Sequence, residues 1–573
     1  MVKRKGGALM PTIQVLYNDL CQLLGKQIPL EDLKEYVLLI KGEVERVTPI
    51  EQGSEIIDYE LSIEITSDRP DMLSTEGLAR ALKGFLEIEL GPPSYTIKET
   101  NITVKVDKSV SSVRPYIACA IIRGIEMSDP LIRQIMQLQE KLHTTHCRNR
   151  RKGSIGIHDL DNVEPPFTYY AEDPDKIKFI PLGETKEMTG REILQKHPKG
   201  IEYGKIIEKY KKYPLLVDKN NEVLSLPPII NGIVTRVTEK TKNLFIDVTG
   251  TDWRIVTTTL NIVASNIAER TGSIESVKII YPDKEIRTPD FKSTEMTVEI
   301  NYANKILGID LTPDQMIKCL RKVRLDAHVV NSDKVKVQIP PYRVDFLHPI
   351  DIVEDIAVGY GFNKLEPELP PTITVGKELT ETKILRKIRD LMIGLGFQEI
   401  FYYVMSSEDI QVRKMRLKNI NLVKIANPVS KEYSVMRRSL IPGLLNIVSK
   451  NAHVELPHKI FEVGDVIVFD ELSETRTKNN TNLAALVSDY SISYEDIQAV
   501  LYAVLRNLKI KFKVEPTLHP SFIEGRTAKI LVDNKELGVV GEIHPEVLEN
   551  FKIENPVAAF EINIQELTKQ TLS

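Results

Sequence analysis

Cysteine is scarce in this chain of 573 residues, which holds only Cys21, Cys119, Cys147 and Cys319. No two of them stand at CxxC spacing, which argues against a disulfide framework and against a zinc site of four thiolates. Long apolar runs are missing too: none approaches the roughly 18 residues of a membrane helix. Nor is there an excess of charge. The formal net charge is -4, whereas a protein wrapped around nucleic acid usually carries a basic surplus. Any contact with RNA must come from a local patch or from a partner. There is no fixed-period repeat and no low-complexity tract. The basic opening MVKRKGGAL leads into the strand-like PTIQVLYNDL rather than a long apolar segment, so no signal peptide is expected. Met10 is an alternative start with residues 1–9 as a leader, and the expected compartment is the cytoplasm.

What is present is ordinary globular material, 42% hydrophobic and 27% charged, enough for roughly three to five domains. Pro- and Gly-rich clusters at Gly91–Ser94, Tyr281–Asp290 and Glu366–Thr372 cut the chain into four pieces. The first opens with a strand, TIQVL, and a helix closed by Gly25; LSIEI alternates as a second strand. A helix carrying Leu78, Leu82, Phe85 and Leu86 on one face follows, capped by Ser74 or Thr75. The second piece mixes strands (ACAIIRGI, IINGIVTRV, NLFIDVTG) with helices (PLIRQIMQLQEKLH, TTLNIVASNIAERTG). The third contains a helix with Thr312 as N-cap and Pro313 in its first turn. The fourth begins with an amphipathic helix ended by Gly394 and Gly396. It continues with the strands FYYVM, HKIFEVGDVIVF, NLAALVSD, AKILVD and LGVVGEI around a helix near EDIQAVLYAVLRNL, a mixed α+β pattern.

Three clusters carry candidate chemistry. In DIVEDIAVGYGF, Asp351, Glu354 and Asp355 fall at i, i+3 and i+4 on one helical face, with Asp345 just upstream. Ile350, Val353, Ala357 and Tyr360 form the opposite, core-like side. Acids in a first helical turn complement the macrodipole; four oxygen donors also suit a hard cation such as Mg²⁺. In LFIDVTGTD, Asp247, Thr249 and Thr251 recur at period 2, either as the exposed side of a strand or as a polar site at its end. In LHTTHC, His143, His146 and Cys147, with His158 further on, are a weak zinc pattern, and CRNRRK is a basic loop able to touch phosphates.

The segment Ile339 to Phe362, IPPYRVDFLHPIDIVEDIAVGYGF, closely resembles the B5 domain of phenylalanyl-tRNA synthetase beta subunits of the archaeal/eukaryotic type. The resemblance extends over nearly the whole chain from Met10. ITSDRPDMLSTEGLARAL is similar to the family's N-terminal domain, and HTTHCRNRRKGSIGIHDLD to the opening of its B3/B4 domain. NPVSKEYSVMRRSLIPGLL, FEVGDV, HPSFIEGRTAKI and GVVGEIHPEV are similar to its class II synthetase-like domain. The implied architecture is multidomain α+β: a small B1-like α+β domain at 1–95, an editing-like B3/B4 domain at 96–288, a B5 domain at 289–368, and a class II synthetase-like antiparallel-sheet domain at 373–573.

The resemblance implies an alpha-subunit partner in an (αβ)2 heterotetramer, with tRNA(Phe), and with ATP and phenylalanine bound by the alpha subunit. Class II sites clamp phosphates with arginine forks. FEVGDV lacks the expected arginine, GVVGEIHPEVLENF lacks a closing one, and Arg437 resembles a framework position, so this domain is expected to be inactive. In the family, matching acids bind magnesium, which maps onto Asp345, Asp351, Glu354 and Asp355. An apolar pocket rejects an added hydroxyl only about 100-fold, so a second, hydrolytic site for mischarged tyrosine is useful. The resemblance places that site at Asp247 and Thr249, with Leu215, Ser225, Thr251 and His158 forming the pocket. The alternative is a stand-alone deacylase or a non-enzymatic tRNA-binding scaffold.

Overall fold

The structure, a computed structural model, describes residues 10–270, 272–370, 372 and 374–565; the candidate leader 1–9 lies outside them. The chain divides into two compact units, residues 1–369 and 370–573.

The first unit begins with a three-stranded antiparallel sheet of β1 (Thr12–Leu16), β2 (Gly42–Gln52) and β3 (Glu55–Ile65), in the order β1-β3-β2. Helices α1 (Tyr17–Leu24), α2 (Leu30–Leu39) and α3 (Thr75–Phe85) pack on it. Gly25 ends α1 at φ 69°, a left-handed cap open to glycine. Ser74, not Thr75, caps α3, its side chain accepting from the Gly77 amide.

Next comes a ten-stranded sheet. Its strands are β4 (Ile97–Val106), β5 (Tyr116–Arg123), β6 (Gly153–Asp159), β7 (Phe167–Glu172), β8 (Tyr213–Val217), β9 (Val223–Leu226), β10 (Ile230–Asn231), β11 (Asn243–Gly250), β12 (Ser273–Ile280) and β13 (Glu285–Thr288). The order is β10-β9-β8-β7-β4-β12-β5-β11-β6, with β13 paired to β12. Helices α4 (Asp129–Thr144) and α5 (Trp253–Ala268) bury their apolar stripes against the Leu244, Ile246 and Val248 face of β11. The opposite face, with Phe245, forms another core with Phe167 and Tyr169. IINGIVTRV, expected as one strand, is a two-residue strand and a single 3-10 turn (Ile233–Thr235). A Cβ on Gly232 would lie 2.3 Å from the Val223 carbonyl, and Thr235 Oγ1 donates to the Gly232 carbonyl, so the backbone turns in rather than running on.

The first unit ends with a second three-stranded antiparallel sheet, β14 (Thr294–Glu299), β15 (Asp326–Asn331) and β16 (Lys334–Ile339), in the order β14-β16-β15. With it pack α6 (Ile300–Leu307), α7 (Pro313–Lys322) and α8 (Pro349–Tyr360). Thr312 and Gln315 form a full capping box at α7.

The second unit is a seven-stranded, almost wholly antiparallel sheet with helices on both faces. The alternation in its strand Thr477–Ser488 divides the cores. Leu483, Ala485 and Val487 meet the helices Thr380–Gly394 and Tyr494–Asn507, whereas Ala484 and Leu486 meet Ile441–Lys450 and Pro545–Phe551. FYYVM, expected as a strand, pairs only at Met405–Ser406. The Tyr402 carbonyl accepts instead from the side chain of Arg437, and Phe401 is fully solvent-facing.

Candidate functional site

Two strands supply the first site. In the antiparallel pair β6–β11, Asp247 stands opposite Gly156, Phe245 opposite His158 and Thr249 opposite Ser154. His158 is therefore diagonal to Asp247, and its Nε2 lies 2.7 Å from Asp247 Oδ1. Gly156 makes this possible, since a Cβ there would be 2.3 Å from Asp247 Oδ1 and 2.6 Å from His158 Nε2. The other imidazole nitrogen, Nδ1, is 2.8 Å from Thr235 Oγ1. The ring has no exposed surface. His158 therefore fixes one carboxylate oxygen and leaves Oδ2 without a hydrogen-bond partner among the described residues.

A cavity of about 160 Å³ opens at this carboxylate, lined by Ser154, Gly156, Asp247, Ser225 and the turn Leu226–Asn231, with Gln139, Glu140 and Arg150 at its side. That volume is of the size that admits one aromatic ring. The hydroxyl of Ser225 is buried and has no partner among the described residues, an unmet polar group of the kind a ligand can satisfy. Arg150 builds the rim: it donates to the Pro228 and Ile229 carbonyls and to Glu140, and stacks on Tyr203 at 4.2 Å. The His143 imidazole 3.5 Å away, with Arg150 and Lys199 nearby, holds the Glu140 carboxyl down to about 2.

Asp247 and Ser225 thus meet at the cavity, but the other expected pocket residues stand apart from it. His158 touches the cavity only through Asp247. Thr249 is wholly buried, its hydroxyl accepting from Arg114 Nε at 3.0 Å and bonded to Ser154. Leu215 shares a core cluster with Leu226 and Ile229 and does not line the cavity. Thr251 lies past the end of β11, exposed, donating to the Arg151 carbonyl. The period-2 face is neither exposed nor a single polar site. Thr235, 77 residues from His158, gave no sequence signal.

The zinc pattern does not assemble. His143 Nε2 accepts from the Ile155 amide, His146 pairs with Thr258, Cys147 with Thr259, and His158 with Asp247. Burial pushes the Cys147 thiol up to about 11, far from a thiolate. Burial also pushes His143 down to about 4. Unfolded imidazole takes up its proton near pH 6.5, so stability is lost as pH falls through the window from 6.5 toward 4. His143 should contribute a loss of roughly 2 kcal/mol at pH 5. Melting curves at pH 7 and pH 5 should show it, and His143→Gln should remove that part; equal pH dependence in both proteins contradicts the assignment.

The acidic helix α8 forms the second cluster. Arg343 grips Asp345 through Nε (2.9 Å) and Nη2 (2.6 Å), and Nη2 also donates to Asp355 at 2.8 Å. Glu354 pairs with Lys41 at 2.8 Å, and Asp351 caps the helix by accepting from the Leu347 and His348 amides. The cluster docks against SDRPDM: Arg69 forks onto Asp71, and Arg80 stacks on Tyr342 at 4.0 Å. Asp355 is turned into the core and Ile350 outward, opposite to the expected faces, because Asp355 is 100° round the helix from Glu354. Burial raises the Asp355 carboxyl, while Arg343 holds Asp345 well below the usual range. As arranged, the set does not fit a resident magnesium ion. Among the described residues no group of three or more acids or other ligands comes together, and arginine and lysine supply the counter-charge.

In the second unit, Arg437 is buried, bonded to Glu462 and to the Asp465 and Tyr402 carbonyls. At the start of the helix Ile441–Lys450, the Leu440 and Ile441 amides are taken by Glu561. Neither group is free to hold a phosphate.

Three family models match: "Phe-tRNA synthetase beta subunit B1 domain" at residues 10–88, "tRNA synthetase B5 domain" at 296–362, and "Phenylalanyl tRNA synthetase beta chain CLM domain" at 365–564. The phenylalanine–tRNA ligase beta subunit of Pyrococcus furiosus is 41% identical over 97% of this chain and 100% of its own length. That of Methanocaldococcus jannaschii is 43% identical with the same coverage. The crystal structure of an N-terminal fragment of the phenylalanyl-tRNA synthetase beta subunit from Pyrococcus horikoshii matches with a TM-score of 0.59 and 40% identity. It covers 61% of this chain and 99% of the fragment.

Proposed function

This chain belongs to the phenylalanyl-tRNA synthetase beta-subunit family, and we propose that it acts with a separate alpha subunit, as (αβ)2, to join phenylalanine to tRNA(Phe) using ATP. The alpha subunit forms the adenylate. The observation behind this division of labour is the state of the second unit, where Arg437 and the amides before the helix Ile441–Lys450 are already spent on internal partners. The purified chain alone should show no phenylalanine-dependent exchange of pyrophosphate into ATP, and addition of the alpha subunit should bring it in. Exchange by the chain alone would overturn the division.

We further propose that the cavity at Asp247 hydrolyses tyrosine mischarged on that tRNA. The free Oδ2 is the acceptor for the tyrosyl hydroxyl, and the unpartnered Ser225 hydroxyl is a second polar contact. Phenylalanine cannot pair Oδ2, and leaving a buried carboxylate oxygen unpaired is costly. His158, held by Thr235, orients the carboxylate. With no nucleophile–base pair at the cavity among the described residues, hydrolysis falls to a positioned water acting on an already activated ester. The domain limits 1–95, 96–288, 289–368 and 373–573 remain part of this reading. The magnesium ion of the resemblance would have to take Asp345 and Asp355 from Arg343 and Glu354 from Lys41.

A further inference from the structure

The loop from α4 to β6 holds three consecutive non-glycine residues in the left-handed region: Arg148 at φ 51°, Asn149 at 53° and Arg150 at 62°. Each arginine there costs about 1–2 kcal/mol, asparagine less. Backbone hydrogen bonds impose the conformation. Arg148 N donates to Thr145 O, Arg150 N to His143 O, and Lys152 N to Cys147 O. The result is a rigid ridge. Its buried member, Arg150, is the rim of the cavity at Asp247, while Arg148 and Arg151 project into solvent.

The ridge separates two clefts, of about 1360 Å³ and 710 Å³, which share Thr144, Asn149 and Arg151. Besides the buried Arg114, which is spent on Thr249, the cations lining them are Lys141, Arg148, Arg151 and Arg254 on one side, Lys205 and Lys209 on the other. None of the six forms an ion pair among the described residues. Every carboxylate lining the clefts is already paired: Asp68 with Lys41, Asp252 with Lys152, Asp345 with Arg343 and Glu202 with Lys199. In a chain of net charge -4 this is a local positive surplus with no carboxylate partner among the described residues. Most of the residues lining the clefts carry polar or charged side chains, as a seat for a phosphate chain requires. Tyr210, half-buried in the smaller cleft with Lys209 Nζ 5.0 Å from its ring centroid, adds an aromatic beside that cation.

We propose that the strained turn Arg148–Arg150 is a fixed seat for the phosphate backbone of a single-stranded RNA end, running over the ridge toward the cavity at Asp247. The seat stands on charge and geometry; only its connection to the cavity rests on the hydrolytic reading. Backbone hydrogen bonds hold the turn against its strain, so its main chain is already ordered before a ligand binds.

The test uses the αβ complex and a fluorescent single-stranded RNA oligonucleotide, titrated at several salt concentrations. Arg148→Ala/Arg151→Ala should weaken binding about tenfold. It should also reduce the log–log salt slope by about 1.4, two phosphate contacts at roughly 0.7 each on a single strand. Arg133→Ala, on α4 but paired with Asp129, is the control and should change neither. Unchanged affinity and slope in the double variant overturn the proposal, as does tighter binding of an acidic peptide than of the RNA. Binding is read without hydrolysis, so unchanged binding in the double variant beside slowed tyrosine release by Asp247→Asn overturns this proposal alone, and the opposite pair of results overturns the hydrolytic reading alone.

Discussion

Asp247→Asn should slow tyrosine release from mischarged tRNA by about 100-fold, roughly the 3 kcal/mol of one hydrogen bond to a charged group, while phenylalanine attachment by the αβ complex is unchanged. The substitution is nearly isosteric, so the tight packing against Gly156 survives. An amide can still pair with His158, but it then turns its NH2 toward the tyrosyl hydroxyl, in place of the acceptor Oδ2. Deacylation of tyrosyl-tRNA, with aminoacylation followed in parallel, is the measurement. Unchanged release would sink the hydrolytic assignment; loss of both activities would mean that Asp247 serves the fold.

Arg343→Met should destabilise the first unit by about 3–5 kcal/mol, because it strands two buried carboxylates, Asp345 and Asp355, without their counter-charge. The melting temperature should fall by about 5 °C. Asp345→Asn added to this variant should restore part of the loss, since one stranded charge is gone. Chelation by EDTA should leave the melting of the wild-type chain unmoved, because Arg343 and Lys41 neutralise the acids without metal. A fall of several degrees on chelation would instead favour the magnesium ion of the family resemblance.

Much of the fold was readable along the chain. Thr312 with Pro313 marked one helix start, Ser74 or Thr75 another, Gly25 marked a stop, and NLAALVSD marked a strand. These signals are local: a cap is a hydrogen bond within about three residues, and a packing face is a period. The misreadings fell where a distant group overrode the pattern. Arg437 takes the carbonyl that FYYVM would have offered a neighbouring strand, and the Val223 carbonyl forces the turn at Gly232.

By itself the sequence determined the family; it also pointed to Asp247 through the motif LFIDVTGTD and to Ser225 through the resemblance, and these two line one cavity. Only the tertiary structure decided what those groups do. The register of β6 on β11 sets His158 beside Asp247 and spends Thr249 on Arg114, and Arg343 reaches Asp355 across 12 residues to claim carboxylates that spacing alone offered to a metal. A motif states which charges are close along the chain; which of them are already neutralised depends on side chains brought in from elsewhere by packing.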